Sequence, residues 1–283
     1  MKNKFTMICT VLFYSCMLSF AQTDSVKLYE WTPSLVAGLN ISQISFSNWS
    51  QGGDNSITWT LLGTGGLKYY SIDWKFRNNL KIAYGRTKLG DQDYRTNDNE
   101  FYLESVISKN INWAIDPYFS NTIRTAVAAG YSYDSIPPVE IANFFDPGYI
   151  TQSIGFTYDD AKGFNTRVGV AVQEVFTNAH TQYSDDEDTP NEIEKFKLET
   201  GVESVTNAEY TLAENLLLKS SLRLFSRFES FDVWDVRWDN VLAAKITDYL
   251  NVNFTVLVIY EKQQSLKTQV KQTLQLGFIY TLI

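Results

Sequence analysis

Cysteine is nearly absent from this 283-residue chain: Cys9 and Cys16 are the only two, and both fall in the first 21 residues. That opening segment has the build of a signal peptide. Lys2 and Lys4 precede an apolar run from Phe5 to Phe20, and Ser19-Phe20-Ala21 sets small residues at the third-last and last positions before a cut ahead of Gln22. A lipoprotein reading of Cys16 is disfavoured, because Phe13-Tyr14-Ser15 before it carries no leucine. With residues 1–21 removed, no thiol is left for a disulfide, a thiolate metal site or cysteine redox chemistry. Histidine is almost as scarce, with His180 alone. Basic clusters are missing too: 24 Lys and Arg face 32 Asp and Glu, and loss of Lys2 and Lys4 takes the net charge from −8 to −10. A chain so acidic, without a basic stripe, is a poor partner for nucleic acid. Beyond the signal, no run approaches the 18 or so apolar residues that a membrane helix needs.

What is present instead is alternation. From Val270 every second residue reads Val270, Gln272, Leu274, Leu276, Phe278, Tyr280, Leu282, while the intervening set is Gln269, Lys271, Thr273, Gln275, Gly277, Ile279, Thr281. A period of two is the mark of a strand with one apolar and one wet face. The segment Thr268 to Ile283 is long for a globular strand and suits one tilted across an outer membrane. Trp74, Phe76, Leu80, Ile82 and Tyr84 likewise oppose Lys75, Arg77, Asn79, Lys81 and Ala83. Twelve such segments are expected, near 34–46, 57–71, 73–87, 99–109, 113–131, 149–159, 163–177, 195–208, 215–229, 233–247, 250–261 and 268–283. Connections after the first, third, fifth and seventh are long (47–56, 88–98, 132–148, 178–194) and most others are short. Long loops at one rim and tight turns at the other, with an even strand number, are the outer-membrane barrel pattern. Trp74 and Trp113 at one end and Trp59, Tyr84 and Trp238 towards the other suggest two aromatic girdles. The expected organisation is a signal peptide over 1–21, a periplasmic lead over 22–33, and an all-β, transmembrane, antiparallel up-and-down barrel over 34–283 with periplasmic termini. The competing architecture is a secreted β-sandwich.

The first strand continues into Gly38-Leu39-Asn40-Ile41-Ser42-Gln43, then Phe46-Ser47-Asn48-Trp49-Ser50-Gln51-Gly52-Gly53-Asp54-Asn55-Ser56. Adjacent glycines flanked by Asn and Asp call for a tight turn with positive φ. This segment resembles the opening of a Bacteroidota outer-membrane family known only as a domain of unknown function. The resemblance implies an outer-membrane address and no established activity.

The residues expected to face the lumen include Lys75, Arg77, Lys81, Glu104, Arg124, Arg167, Glu199, Glu203, Lys219, Arg223, Arg227, Lys245 and Lys271, mostly cations in an acidic chain. Two readings stand: a wall that attracts anions along a solute path, or internal ion pairs that fill the barrel, with Glu199 and Glu203 beside Arg167, Lys219, Arg223 and Arg227. Gly155, Gly169, Gly201 and Gly277 fall on the same face, for curvature or to seat Tyr102, Tyr118 or a folded-in loop. Ser132 to Gly148 is an apolar loop, with Ile136, Val139, Ile141, Phe144 and Phe145. Such residues would constrict the pore, pack on the rim, or meet a partner or lipopolysaccharide. Trp49, Gly52, Gly53, Phe144 and Phe145 are the candidate partner contacts. The acidic run within 185–194 is read as a solvated loop in preference to a calcium site, since it lacks the spacing of a Gly-centred loop. His180, with Ser184 and Asp185 close in sequence, is the sole hint of a lipid hydrolase and is read as polar surface.

No cofactor or enzymatic activity is expected. The leading functional expectation is a narrow passive channel for small hydrophilic, including anionic, solutes; the alternative is a closed barrel whose outer loops dock an envelope protein or lipopolysaccharide.

Overall fold

A computed structural model describes residues 27–48, 53–160, 163–186, 189, 192–262 and 266–283. The expected signal peptide over 1–21, residues 22–26 of the expected lead, Trp49 and Gly52 lie outside the described residues. Twelve antiparallel strands close into one barrel. They are β1 (Trp31–Ile44), β2 (Ser56–Tyr70), β3 (Trp74–Leu89), β4 (Arg95–Lys109) and β5 (Asp116–Thr125), followed by β8 (Gly148–Asp160), β9 (Phe164–Phe176), β10 (Phe196–Ala213), β11 (Leu216–Arg227), β12 (Trp234–Lys245), β13 (Leu250–Tyr260) and β14 (Gln269–Thr281). Between β5 and β8, β6 (Gly130–Ser132) and β7 (Val139–Ala142) form a separate two-stranded hairpin. Each barrel strand pairs with the next, and β14 returns to β1, with Val36 opposite Thr281 and Ile41 opposite Leu276. Closure leaves no strand of the barrel without a neighbour on both sides.

The alternation sorts side chains as the period of two requires. Phe156, Val168, Val170, Phe254, Leu274 and Phe278 point outward and are exposed, whereas Ser120, Ser153, Thr157, Arg167, Glu203 and Gln275 point inward and are buried. This polarity is inverted relative to a soluble sandwich, whose apolar residues fill the space between two sheets. An apolar exterior on a closed barrel is stable against lipid and unstable against water. No described helix is long and apolar enough to cross a membrane.

Several expected boundaries move. The fifth strand was expected over 113–131 but ends at Thr125, because the Asn99 side chain captures the next backbone groups, accepting from the N–H of Val127 and Ala128 and donating to the Ala128 carbonyl. The long connection therefore spans 126–147 and carries its own hairpin. Trp113, expected on that strand, sits exposed in the turn before it. The expected long loop 88–98 is short, since β3 runs on to Leu89 and β4 starts at Arg95.

Candidate functional site

The candidate site is the lumen, and its charges are organised by strand register. Around Arg167, Arg223 and Arg227, on β9 and β11, the lumen is filled by ion pairs. Arg167 on β9 reaches across to Glu104 on β4, with side-chain exposures of 2% and 6%. Glu104 also accepts from Asn79 at 3.3 Å, and the Arg167 guanidinium lies 5.9 Å from the Tyr118 ring centre. Arg223 donates to Glu203 at 2.7 Å and to Gln173 at 2.9 Å. Arg227 grips Glu199 through Nε and Nη2 at 2.8 and 3.1 Å and pairs with Asp235 at 2.8 Å. Towards the short-turn rim, Lys75 pairs with Asp116 at 3.1 Å and Arg77 with Asp159 at 3.0 Å. Lys219 meets Glu209 at 3.2 Å, both half-exposed at that rim. The buried pairs among these, Arg167–Glu104 and Arg227–Glu199, satisfy one another's charge where water is scarce.

Glycine lets this part close up. Gly155 and Gly169 stand directly opposite each other on β8 and β9. A Cβ on Gly155 would collide with the Val168 carbonyl, and one on Gly169 would lie 2.7 Å from the Tyr118 hydroxyl. That hydroxyl shares a 2.7 Å hydrogen bond with Ser153. Curvature and room for Tyr118 therefore have the same cause.

Against β12–β14, β1 and β2, and bordered on its other side by residues of β3–β5 and β8, lies a cavity of about 470 Å³. Much of its wall is neutral and polar: Asn40, Thr60, Asn251, Asn253, Thr255, Thr273 and Gln275. Asn251, Asn253 and Asn40 are linked amide to amide at 3.0 and 3.3 Å, in space left free by Gly277 opposite Asn40 and Asn251. Its charged wall centres on Glu100, which accepts from Lys81 at 2.8 Å and Arg237 at 2.6 Å. Arg124 Nε is 3.6 Å from the same carboxylate. Arg237 also donates to Asp239 at 2.9 Å, and Lys271 pairs with Asp98 at 3.2 Å. A second cavity, of about 110 Å³, shares Arg124, Tyr149 and Arg237 as lining with the first.

Of the ten charged residues singled out for the lumen, most are held in pairs, and Lys219 is half-exposed at the short-turn rim. Arg167 takes Glu104 as partner; Glu199 and Glu203, expected beside it, are claimed by Arg227 and Arg223. The carboxylates Glu100, Asp116, Asp159, Asp235 and Asp239, together with Arg237, were overlooked. Their signal was present: in Trp234-Asp235-Val236-Arg237-Trp238-Asp239 every second residue is charged, on the face opposite two tryptophans.

The loops at the long-loop rim are tied together. Asp146 Oδ1 accepts the N–H of Asn178 at 2.8 Å and of His180 at 3.3 Å, and Oδ2 accepts that of Ala179 at 2.8 Å. Burial pushes the Asp146 carboxyl up, but these three donors outweigh it and hold it below the ordinary aspartate range. His180 is buried, its Nε2 3.4 Å from Glu140. Ser184 donates to the Glu194 carbonyl at 2.6 Å, and among the described residues no hydrogen bond joins it to His180. Phe145 packs on Phe176 with ring centres 6.0 Å apart, while Phe144 stays exposed with Ile136 and Val139. Gly53 adopts φ +119°, with the Phe46 ring against the space of its missing side chain. No cluster of three metal-ligating side chains occurs among the described residues.

A family model described as a protein of unknown function (DUF3078) matches residues 41–131, less than half of the chain. No curated protein matches the sequence. Among solved structures, the chain is similar to an outer-membrane channel from Pseudomonas putida F1, at 8% identity and TM-score 0.38, covering 93% of this chain and 98% of that one. It is also similar to the translocator domain of the autotransporter NalP from Neisseria meningitidis, at 10% identity and TM-score 0.37, covering 91% and 90%. The KdgM porin is similar at 10% identity and TM-score 0.32, covering 88% and 99%.

Proposed function

We propose that this protein is a narrow passive channel of the bacterial outer membrane for small hydrophilic solutes. The observation that carries the reading is the division of the lumen. One part is packed with buried ion pairs, and another keeps a cavity of about 470 Å³ whose lining runs from Asn251 and Ile279, near the short-turn rim, to Lys271 and Tyr183, near the long loops. Neutral amides and hydroxyls along such a wall exchange hydrogen bonds with a passing solute without holding it tightly. The path follows β12–β14, β1 and β2, so Arg167, Arg223 and Arg227 act as filling and Lys81, Arg124 and Arg237 as its charged edge.

Single-channel recording of the refolded chain in a planar bilayer tests this. Small, steady openings are expected, and Gln275→Trp, which places a ring in the cavity, lowers their conductance severalfold. Silence from a barrel verified as folded refutes the channel. A second reading has its own observation: Ile136, Val139 and Phe144 lie exposed on the loop 126–147, which fits a barrel that docks an envelope protein or lipopolysaccharide. A cross-linked partner lost in Ile136→Ser/Phe144→Ser would favour it.

A further inference from the structure

We propose that the cluster around Glu100 is a binding station for a small organic carboxylate, with the Glu100 side chain standing in for the solute when the station is empty. The inference rests on the channel reading and names the class of solute that the path holds.

Charge is the first argument. The cavity of about 470 Å³ is lined by Lys81, Arg124, Arg237 and Lys271 against Asp98, Glu100 and Asp239, which leaves one cation in excess. Lys271 and Asp98 neutralise each other at 3.2 Å, so on this wall the surplus falls on the cluster itself, while Arg223, Asp235 and Glu261 line the smaller cavity beyond it. There, Glu100 serves Lys81 and Arg237 with direct hydrogen bonds and leaves the third cation short.

Arg124 is the second argument. Its Nε is buried without a hydrogen-bond partner, and its closest carboxylate oxygen, on Glu100, lies at 3.6 Å, beyond hydrogen-bond reach. The guanidinium rests 5.1 Å from the centre of the Tyr102 ring, which holds its plane in place. A guanidinium a quarter exposed at the edge of a cavity, its Nε unpartnered among the described residues, is a fork for a planar two-oxygen anion.

Position is the third. Arg124, Tyr149 and Arg237 border both cavities, so a solute moving between them passes between these side chains. A carboxylate entering there bonds Arg124 and competes with Glu100 for Arg237. Its remaining hydroxyls face the Asn40, Asn253 and Gln275 wall. Because Glu100 returns when the solute leaves, the cations are never all uncovered, and release costs little.

The test uses the folded barrel in detergent, with lactate as probe and lactamide, its uncharged isostere, as control, by titration calorimetry. Saturable lactate binding is expected, with lactamide weaker by at least ~10-fold. Arg124→Gln should weaken lactate by at least ~10-fold while leaving the heat-modifiable gel mobility of the folded barrel intact, since Arg124 stands 3.6 Å from Glu100, beyond hydrogen-bond reach. Glu100→Gln, which removes the competitor, should tighten lactate binding severalfold; if that variant does not fold, Arg124→Gln decides alone. Absent binding, equal binding of lactamide, or an unchanged Arg124→Gln overturns the station. The channel reading fails separately: a silent bilayer with intact lactate binding removes the channel and keeps the station, and conductance without lactate binding does the reverse.

Discussion

Removing one partner of the Arg167–Glu104 pair measures whether part of the lumen is dry. Arg167→Met keeps the length of the side chain but strips Glu104 of its cation, leaving the carboxylate with two neutral donors, the Tyr102 hydroxyl and the Asn79 amide at 3.3 Å. Both side chains are almost wholly buried, so solvent cannot take over, and breaking such a pair costs about 3–5 kcal/mol. Within that sum, the lost stacking of the guanidinium on Tyr118 accounts for about 0.5–1 kcal/mol. Adding Glu104→Gln removes the stranded charge while keeping the shape, so the double variant should recover about 2–3 kcal/mol of the loss. Urea unfolding of the barrel in lipid vesicles, followed by tryptophan fluorescence and heat-modifiable gel mobility, reads both values. A loss below about 1 kcal/mol for Arg167→Met, with no recovery in the double variant, would mean that water reaches the pair. The division of the lumen into a filled and an open part would then be wrong.

Other outcomes follow from the same geometry. Gly155→Val should block folding or cost at least about 3 kcal/mol, because the new side chain meets the Val168 backbone, which cannot yield; refolding yield on gels checks it. A cysteine at Thr255, which lines the cavity and is partly exposed, should with Cys9 and Cys16 replaced by serine react with a small charged thiol reagent at least ~100-fold faster than one at the fully buried Ser120. Asp146 has a carboxyl pKa held down in the folded state, so its contribution is present above the unfolded value and is lost as pH falls through the folded one. Hydrogen exchange should therefore show 177–180 loosening from 126–147 under acid, and Asp146→Ala should produce the same loosening at neutral pH, worth about 1–3 kcal/mol locally.

Much of the wall was legible in the sequence, because alternation of the kind seen in Val270 to Leu282 depends only on near neighbours. Strand number and the inward side of Lys75, Arg77 and Lys81 follow from the same local rule. The lumen's pairing was not legible, because it is set by closure. Glu100 meets Arg237 from 137 positions away, and Asn253 meets Asn40 from 213; no local pattern encodes either. Arg237 and Asp239 show an intermediate case: their parity is local, but their partners Glu100 and the cavity wall are not. The hairpin β6–β7 escaped notice because Asn99, on another strand, supplies the bonds that end β5 early.

The seam between β1 and β14 has a mechanical consequence. Its ladder joins six residue pairs, from Val36 opposite Thr281 to Ile41 opposite Leu276, whereas β1 and β2 are matched along the whole of β1, from Trp31 to Ile44. Above Leu276, β14 continues to Gln269 with partners on β13 alone. Under lateral tension the wall thus has a built-in tear line, notched from the long-loop rim downward and running past the cavity lined by Lys271, Thr273 and Gln275. A disulfide staple at the facing positions Gly38 and Ile279 would sew that line shut and raise the force needed to unzip the barrel.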